Sequence, residues 1–188
     1  MPKKIINKHR GFTLLELVVV IFVISWLGLF AIDRIFALRI AAEQASVKQV
    51  VGIIKSALGL EVAQLALEGK MSSVAKLNKT NPIELLAQKP NNYIGEKTDS
   101  DHIIEPGVWY FDKKQKALIY NVRYSETFIT SLKGLPRIRH HIKLVYNDRN
   151  KNNRFDARYD SIAGLDLFPI EKFSWNINTQ TISNNIQN

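Results

Sequence analysis

Glu16 is the first residue of this chain whose position demands a chemical reason. It is a carboxylate inside the apolar run FTLLELVVVIFVISWLGLFAI, which extends from Phe12 to Ile32 and is otherwise broken only by Thr13, Ser25 and Gly28. An ionised side chain at hydrocarbon depth is costly, so such residues pair with a cation or mark a functional site. One reading leaves Glu16, six positions after Arg10, tolerated in the headgroup region. The other gives it a cationic partner.

A second group lies in Asp148-Arg-Asn-Lys-Asn-Asn-Arg-Phe-Asp-Ala-Arg-Tyr-Asp160. Oxygen-bearing Asp148, Asn150, Asn152 and Asp156 occupy positions 1, 3, 5 and 9 of a calcium loop, with Phe155 at the apolar position 8. Asn153 stands where a glycine is usual, and Asp160 comes one residue late for the bidentate acid. Arg149, Lys151 and Arg154 oppose a cation, so the loop predicts weak Ca²⁺ binding. The alternative is a polar turn held by side-chain to backbone bonds. The third group is the cationic row Arg137, Arg139, His141 and Lys143 near Tyr146. It reads first as the solvated face of a strand, and otherwise as a contact for nucleic-acid phosphates.

Enzyme chemistry finds no foothold in the sequence. There is no GxSxG, Walker A or GxGxxG, and the four histidines form no HExxH. Ser125, His140 and Asp148 can be gathered into a triad only arbitrarily. Cysteine is absent, which excludes disulfides, Cys-bound zinc, iron–sulfur clusters and thiol nucleophiles. No cofactor beyond a weakly held Ca²⁺ and no small-molecule substrate is expected. Lys and Arg outnumber Asp and Glu by 26 to 17, for a formal charge of +9, while 46% of residues are hydrophobic. The chain is therefore a folded protein with a mild attraction to anionic surfaces.

These groups need elements to hold them. Residues 1–11 carry Lys3, Lys4, Lys8 and Arg10 without an acid. Residues 12–32 are long enough, at ~1.5 Å per helical residue, to span a ~30 Å hydrocarbon core. The basic flank places the N-terminus in the cytoplasm and the remainder outside, in contact with membrane lipid on the way. Residues 33–69 continue the helix as an amphipathic half, with Ile40, Val47, Val51, Ile54, Leu58, Val62 and Leu65 in one stripe and Gly69 as C-cap. Residues 70–188 form a loop-rich head. There, 70–106 reads as mostly loop with a short helix near Ile83–Ala87, and Gly107–Asp112 with Ala117–Tyr124 reads as a hairpin. Arg137–Tyr146 is a third strand and Phe173–Asn178 a short fourth. The expected fold is α+β, a long N-terminal helix packed on a small antiparallel sheet of about four strands.

The string Lys8-His9-Arg10-Gly11-Phe12-Thr13-Leu14-Leu15-Glu16 resembles the prepilin-type cleavage and methylation motif of type IV pilins and type II secretion pseudopilins. The resemblance implies that a prepilin peptidase and methyltransferase cuts the leader 1–11 between Gly11 and Phe12 and N-methylates Phe12. It also implies a structural subunit whose partners are other pilin or pseudopilin subunits and an inner-membrane assembly platform. Glu16 would pair with the Phe12 amine of the neighbouring subunit. The head would lie in the periplasm, then in a filament or at the cell surface. Many major pilins carry a helix-kinking proline that this chain lacks, since no proline lies between Phe12 and Asn81. The segments Asn81–Leu86, Pro90–Gly95 and Gly107–Phe111 resemble minor pilins of mannose-sensitive haemagglutinin type systems. Two readings compete with filament assembly. One is a single-span anchored binding domain that keeps its N-terminus and never assembles; the other is a pilin-like subunit that contacts DNA.

Overall fold

With no proline from Phe12 to Asn81 and no stop signal before Gly69, the sequence permits a long helix, and the computed structural model contains one. It describes residues 12–98 and 104–176. The proposed leader, including Gly11, and the Asn-rich tail lie outside the described residues. Helix α1 runs Leu14–Leu67. Gly69 then takes a left-handed φ of 69°, the Gly69 amide donates to Ala66 O and the Lys70 amide to Leu65 O. This is the Schellman closure, and it uses the glycine because a Cβ is strained at that φ.

The chain falls into two units, Met1–Arg39 with Asn178–Asn188, and Ile40–Ile177. In the first, α1 is exposed and apolar on every side, from Leu14, Leu17 and Ile21 to Ile24, Trp26 and Leu27. Among the described residues, α1 is the one helix long and apolar enough to cross a membrane. Its hydroxyl at Ser25 donates to Ile21 O at 2.7 Å, so the polar atom is satisfied within the helix.

In the second unit one face of α1 is covered. Ile40, Val47, Ile54 and Leu58 are buried, with Val50 and Val51 packed beside them. The stripe legible in the sequence is therefore the face that meets the sheet. Strands β1 (Tyr93–Lys97), β2 (Trp109–Asp112), β3 (Ala117–Asn121), β5 (Arg137–Asn147) and β6 (Ser161–Pro169) form one sheet in the order β1-β2-β3-β5-β6. Strands β4 (Phe128–Thr130) and β7 (Phe173–Trp175) form a separate two-stranded sheet. The α+β arrangement is thus present, but the main sheet is larger than expected and mixed, because β1 pairs with β2 in parallel. The expected hairpin is β2–β3, in register Trp109 with Tyr120 through Asp112 with Ala117.

Three strands escaped the sequence reading for physical reasons. β1 is interrupted by Gly95 at φ 92° and an irregular register. β6 contains Gly164, Asp166 and the terminal Pro169, and β4 spans three residues. The expected fourth strand, β7, spans only Phe173–Trp175 and joins β4 instead of the main sheet. The short helix near Ile83 is a 3-10 turn, Pro82–Leu85, capped by the Asn81 side chain. A second 3-10 segment, Met71–Leu77, follows α1.

The core contains Trp109, Phe111, Leu118, Tyr120, Ile138, Ile142 and Leu167 against Val47, Ile54 and Leu58 of α1. One polar group sits in the buried face of the helix. Glu43 is 7% exposed, and its carboxylate accepts from Tyr120 Oη at 2.9 Å, the Arg123 amide at 2.6 Å and the Tyr124 amide at 2.9 Å. Burial, reinforced by the Glu43 carboxylate, pushes the Tyr120 hydroxyl well above its ordinary pKa. Tyr120 therefore stays a donor at any ordinary pH. Replacing Glu43 by Ala strands three donors, and an unmade buried bond costs ~1–3 kcal/mol. Glu43→Ala should accordingly lower unfolding free energy by about 2–4 kcal/mol, and Tyr120→Phe by about 1 kcal/mol. Chemical denaturation of both single variants and the double variant should give a loss smaller than the sum, because they share one bond.

Candidate functional site

The N-terminal end of α1 is built from a capping pattern. Thr13 precedes the helix in non-helical conformation, and its Oγ1 accepts from the Glu16 amide at 3.2 Å, while Thr13 O accepts from the Leu17 amide. Thr13-x-x-Glu16 has the spacing of a capping box. Glu16 thus sits in the first helical turn, where the positive end of the helix dipole favours an anion. Its carboxylate takes no hydrogen-bond or ion-pair partner among the described residues, and Phe12 beside it is 76% exposed. The sequence reading singled out Glu16 but missed Thr13, although the threonine three residues before a glutamate was the available signal.

The 148–160 segment connects β5 to β6 and is held by its own side chains. Asp148 accepts from the amides of Asn152 at 3.2 Å and Asn153 at 2.7 Å. Asn150 accepts from Asn152, and Asn152 from Arg154 at 2.8 Å. Asp156 accepts from Arg158 at 2.9 Å. Asp160 closes the loop, accepting from Arg149 at 3.1 Å and from Asp156 at 2.8 Å. Lys151 and Asn153 adopt left-handed φ values of 56° and 58°, so the asparagine does stand in a glycine-like position. Phe155 packs edge-on against Tyr146 with centroids 5.4 Å apart. All five oxygen-bearing candidates are therefore gathered in one connection, with oxygens engaged by backbone amides. Among the described residues, no cluster of three or more His, Asp or Glu side chains is placed to share a metal ion.

The cationic row occupies β5, whose buried face carries Ile138, His140, Ile142 and Leu144. Arg137, Arg139, His141 and Lys143 alternate with them on the other face. Arg139 is committed to Glu171, by an ion pair, and to Gln115. Lys143 Nζ lies 5.6 Å from the centre of the Phe168 ring. Burial and the neighbouring Lys79 and Lys143 cations hold the His141 pKa below its usual value, so this row carries less charge at neutral pH than its composition suggests. Ser125, His140 and Asp148 form no hydrogen bond to one another, and His140 is buried in the core.

A groove of about 1130 Å³ runs between α1 and the segment that follows the Pro82–Leu85 turn. Ser46, Ile53, Ser56 and Leu60 line one wall, and Leu85, Leu86 and Pro90 the other.

Comparison with known proteins gives one match. Residues 6–32 match the prokaryotic N-terminal methylation motif, the prepilin-type signal of type IV pilins and pseudopilins. No curated protein and no solved structure matches the chain. The matched segment begins before the described residues and ends within the exposed apolar part of α1.

Two measurements follow from this geometry. Thr13→Ala removes an N-cap worth ~1 kcal/mol and should reduce helix content locally, read as faster amide exchange over residues 14–18 in detergent micelles. For the loop, the sequence expectation of weak Ca²⁺ binding requires that millimolar Ca²⁺ raise the thermal midpoint of the detergent-solubilised chain by a few degrees. Chelator should reverse the rise, and Asp148→Ala should abolish it. An unchanged midpoint assigns residues 148–160 to an amide-bonded turn without a cation.

Proposed function

We propose that this chain is a structural subunit, a minor pilin or pseudopilin, of a type IV pilus or type II secretion filament. The observation that carries the reading is the methylation-motif match at residues 6–32 running directly into α1, an exposed apolar helix capped by Thr13. Prepilin peptidase cuts between Gly11 and Phe12, and Phe12 is N-methylated. The helix then holds the subunit in the inner membrane with its N-terminus towards the cytoplasm and its head in the periplasm. On incorporation into a filament, other subunits take the place of lipid around α1.

Glu16 supplies register. Cleavage creates a cation on Phe12, and the Glu16 carboxylate, unpaired among the described residues, is its natural partner on the neighbouring subunit. In surroundings of low dielectric each charge is costly without the other, so the stacking that brings them together is favoured over its alternatives. The motif marks structural proteins, and the arrangement of Ser125, His140 and Asp148 supports no hydrolytic chemistry. The segment Asn81–Leu86 is tied to the sheet. Asn81 caps the 3-10 turn and donates to Tyr93 Oη at 2.9 Å and Glu96 at 3.0 Å, tying that segment to β1. The reading as a mannose-sensitive haemagglutinin type minor pilin rests on sequence alone.

The first test is the mass of the chain extracted from membranes of cells that contain prepilin peptidase. The expected form begins at N-methylated Phe12. An intact N-terminus favours the anchored, non-assembling domain and overturns the filament reading. The second is Glu16→Ala, which should leave insertion and cleavage unchanged and lower recovery in sheared filaments at least several-fold. Normal recovery would leave Glu16 as an interfacial residue only.

A further inference from the structure

Three buried side-chain atoms among the described residues have no hydrogen-bond partner: Thr127 Oγ1, His140 Nδ1 and Trp175 Nε1. All three belong to the small β4–β7 sheet or lie beneath it. Thr127 directly precedes β4, and Trp175 ends β7 opposite Phe128. His140, 3% exposed on the core face of β5, meets Phe173 of β7 edge-on with ring centres 6.1 Å apart. The sheet has only three residue pairs and is held mainly by Phe128, Phe173 and Trp175 packed against the core. Unmade buried hydrogen bonds each cost ~1–3 kcal/mol, so this small element has little margin against a further penalty.

A proton on His140 is such a penalty. Lys55 of α1 faces it, bridged to Asp166 of β6 at 2.8 Å, and His141 follows on β5. Glu171, between β6 and β7, is held by Arg139. The strand neighbours opposite His140 are Leu118 of β3 and Pro169 of β6. Neither offers an acceptor side chain.

We propose that β4–β7 is an acid-released flap, which opens ahead of the rest of the head when His140 takes up a proton and so exposes Phe128, Phe173 and Trp175. Burial first, and then the Lys55 ammonium, pull the His140 pKa from its ordinary 6.5 to about 4. In the open state the imidazole is solvated and binds a proton below its ordinary pKa; in the closed state it refuses one until about pH 4. The closed sheet therefore loses stability as pH falls between these values. One proton per opening makes the opening equilibrium rise about tenfold per pH unit within that window. This inference is independent of the filament reading.

Hydrogen exchange of the full chain in detergent micelles, read by mass spectrometry from pH 7 to 4.5 and normalised to intrinsic rates, tests it. Peptides covering 128–130 and 173–175 should lose protection about tenfold per pH unit below pH 6.5, while β2 and β3 keep theirs. His140→Phe should remove the slope, and His140→Gln serves the same purpose if the larger ring does not fold. Protection independent of pH, an equal loss across the main sheet, or a slope that persists in the substituted chains would each overturn the proposal.

Discussion

A carboxylate placed on the buried face of a helix must have its hydrogen bonds supplied by whatever covers that face, and Glu43 imposes this condition on the head. Its two oxygens take the Tyr120 hydroxyl and the amides of Arg123 and Tyr124. Those two amides belong to the turn that leaves β3, where the ladder no longer pairs them. The bonds fix which part of β3 faces α1, and the register of β2 and β5 follows from β3. Tyr120 extends the arrangement into the core through its contact with Trp109, at 4.9 Å between ring centres. Apolar packing alone would tolerate neighbouring registers; a buried ion with directional bonds tolerates fewer.

The same helix is solved in two different ways along its length. From Ile40 onward it has one apolar face, and the sheet covers it. Before Arg39 it is mostly apolar and its large hydrophobic residues are exposed, so the surface requires lipid or other protein. The polar atoms that do occur there are handled locally: Ser25 bonds within the helix, and Thr13 caps its first turn. Among the described residues the Glu16 carboxylate has no hydrogen-bond or ion-pair partner. That contrast, more than the composition, is what makes the N-terminal segment read as an assembly surface.

The candidate sites differ in how far they could be foreseen. The prepilin-type motif was legible because its determinants are contiguous, a basic leader, Gly11, Phe12 and Glu16 within a few residues. The oxygen-bearing residues of 148–160 were also legible as a set, since one connection holds them. Their use was not, because whether Asp148 and Asp160 accept backbone amides depends on left-handed turns at Lys151 and Asn153. The cationic row was read correctly as one face of a strand. What it could not show is that Arg139 is committed to Glu171, which lies thirty-two residues away in sequence.

The sequence by itself determined what depends on neighbours along the chain: the helix from Leu14 to Leu67, its apolar stripe, its glycine C-cap, the β2–β3 hairpin and the strand at Arg137. Each follows from periodicity or from a residue's own backbone preference. Only the tertiary structure decided the rest. The parallel pairing of β1, the edge strand β6, the detached β4–β7 sheet and the three-bond clamp on Glu43 all join residues far apart in sequence. Their short or glycine-broken strands carry no period to read. Such pairings are selected by which arrangement covers the helix and satisfies its buried carboxylate, and that choice exists only once the chain has come together.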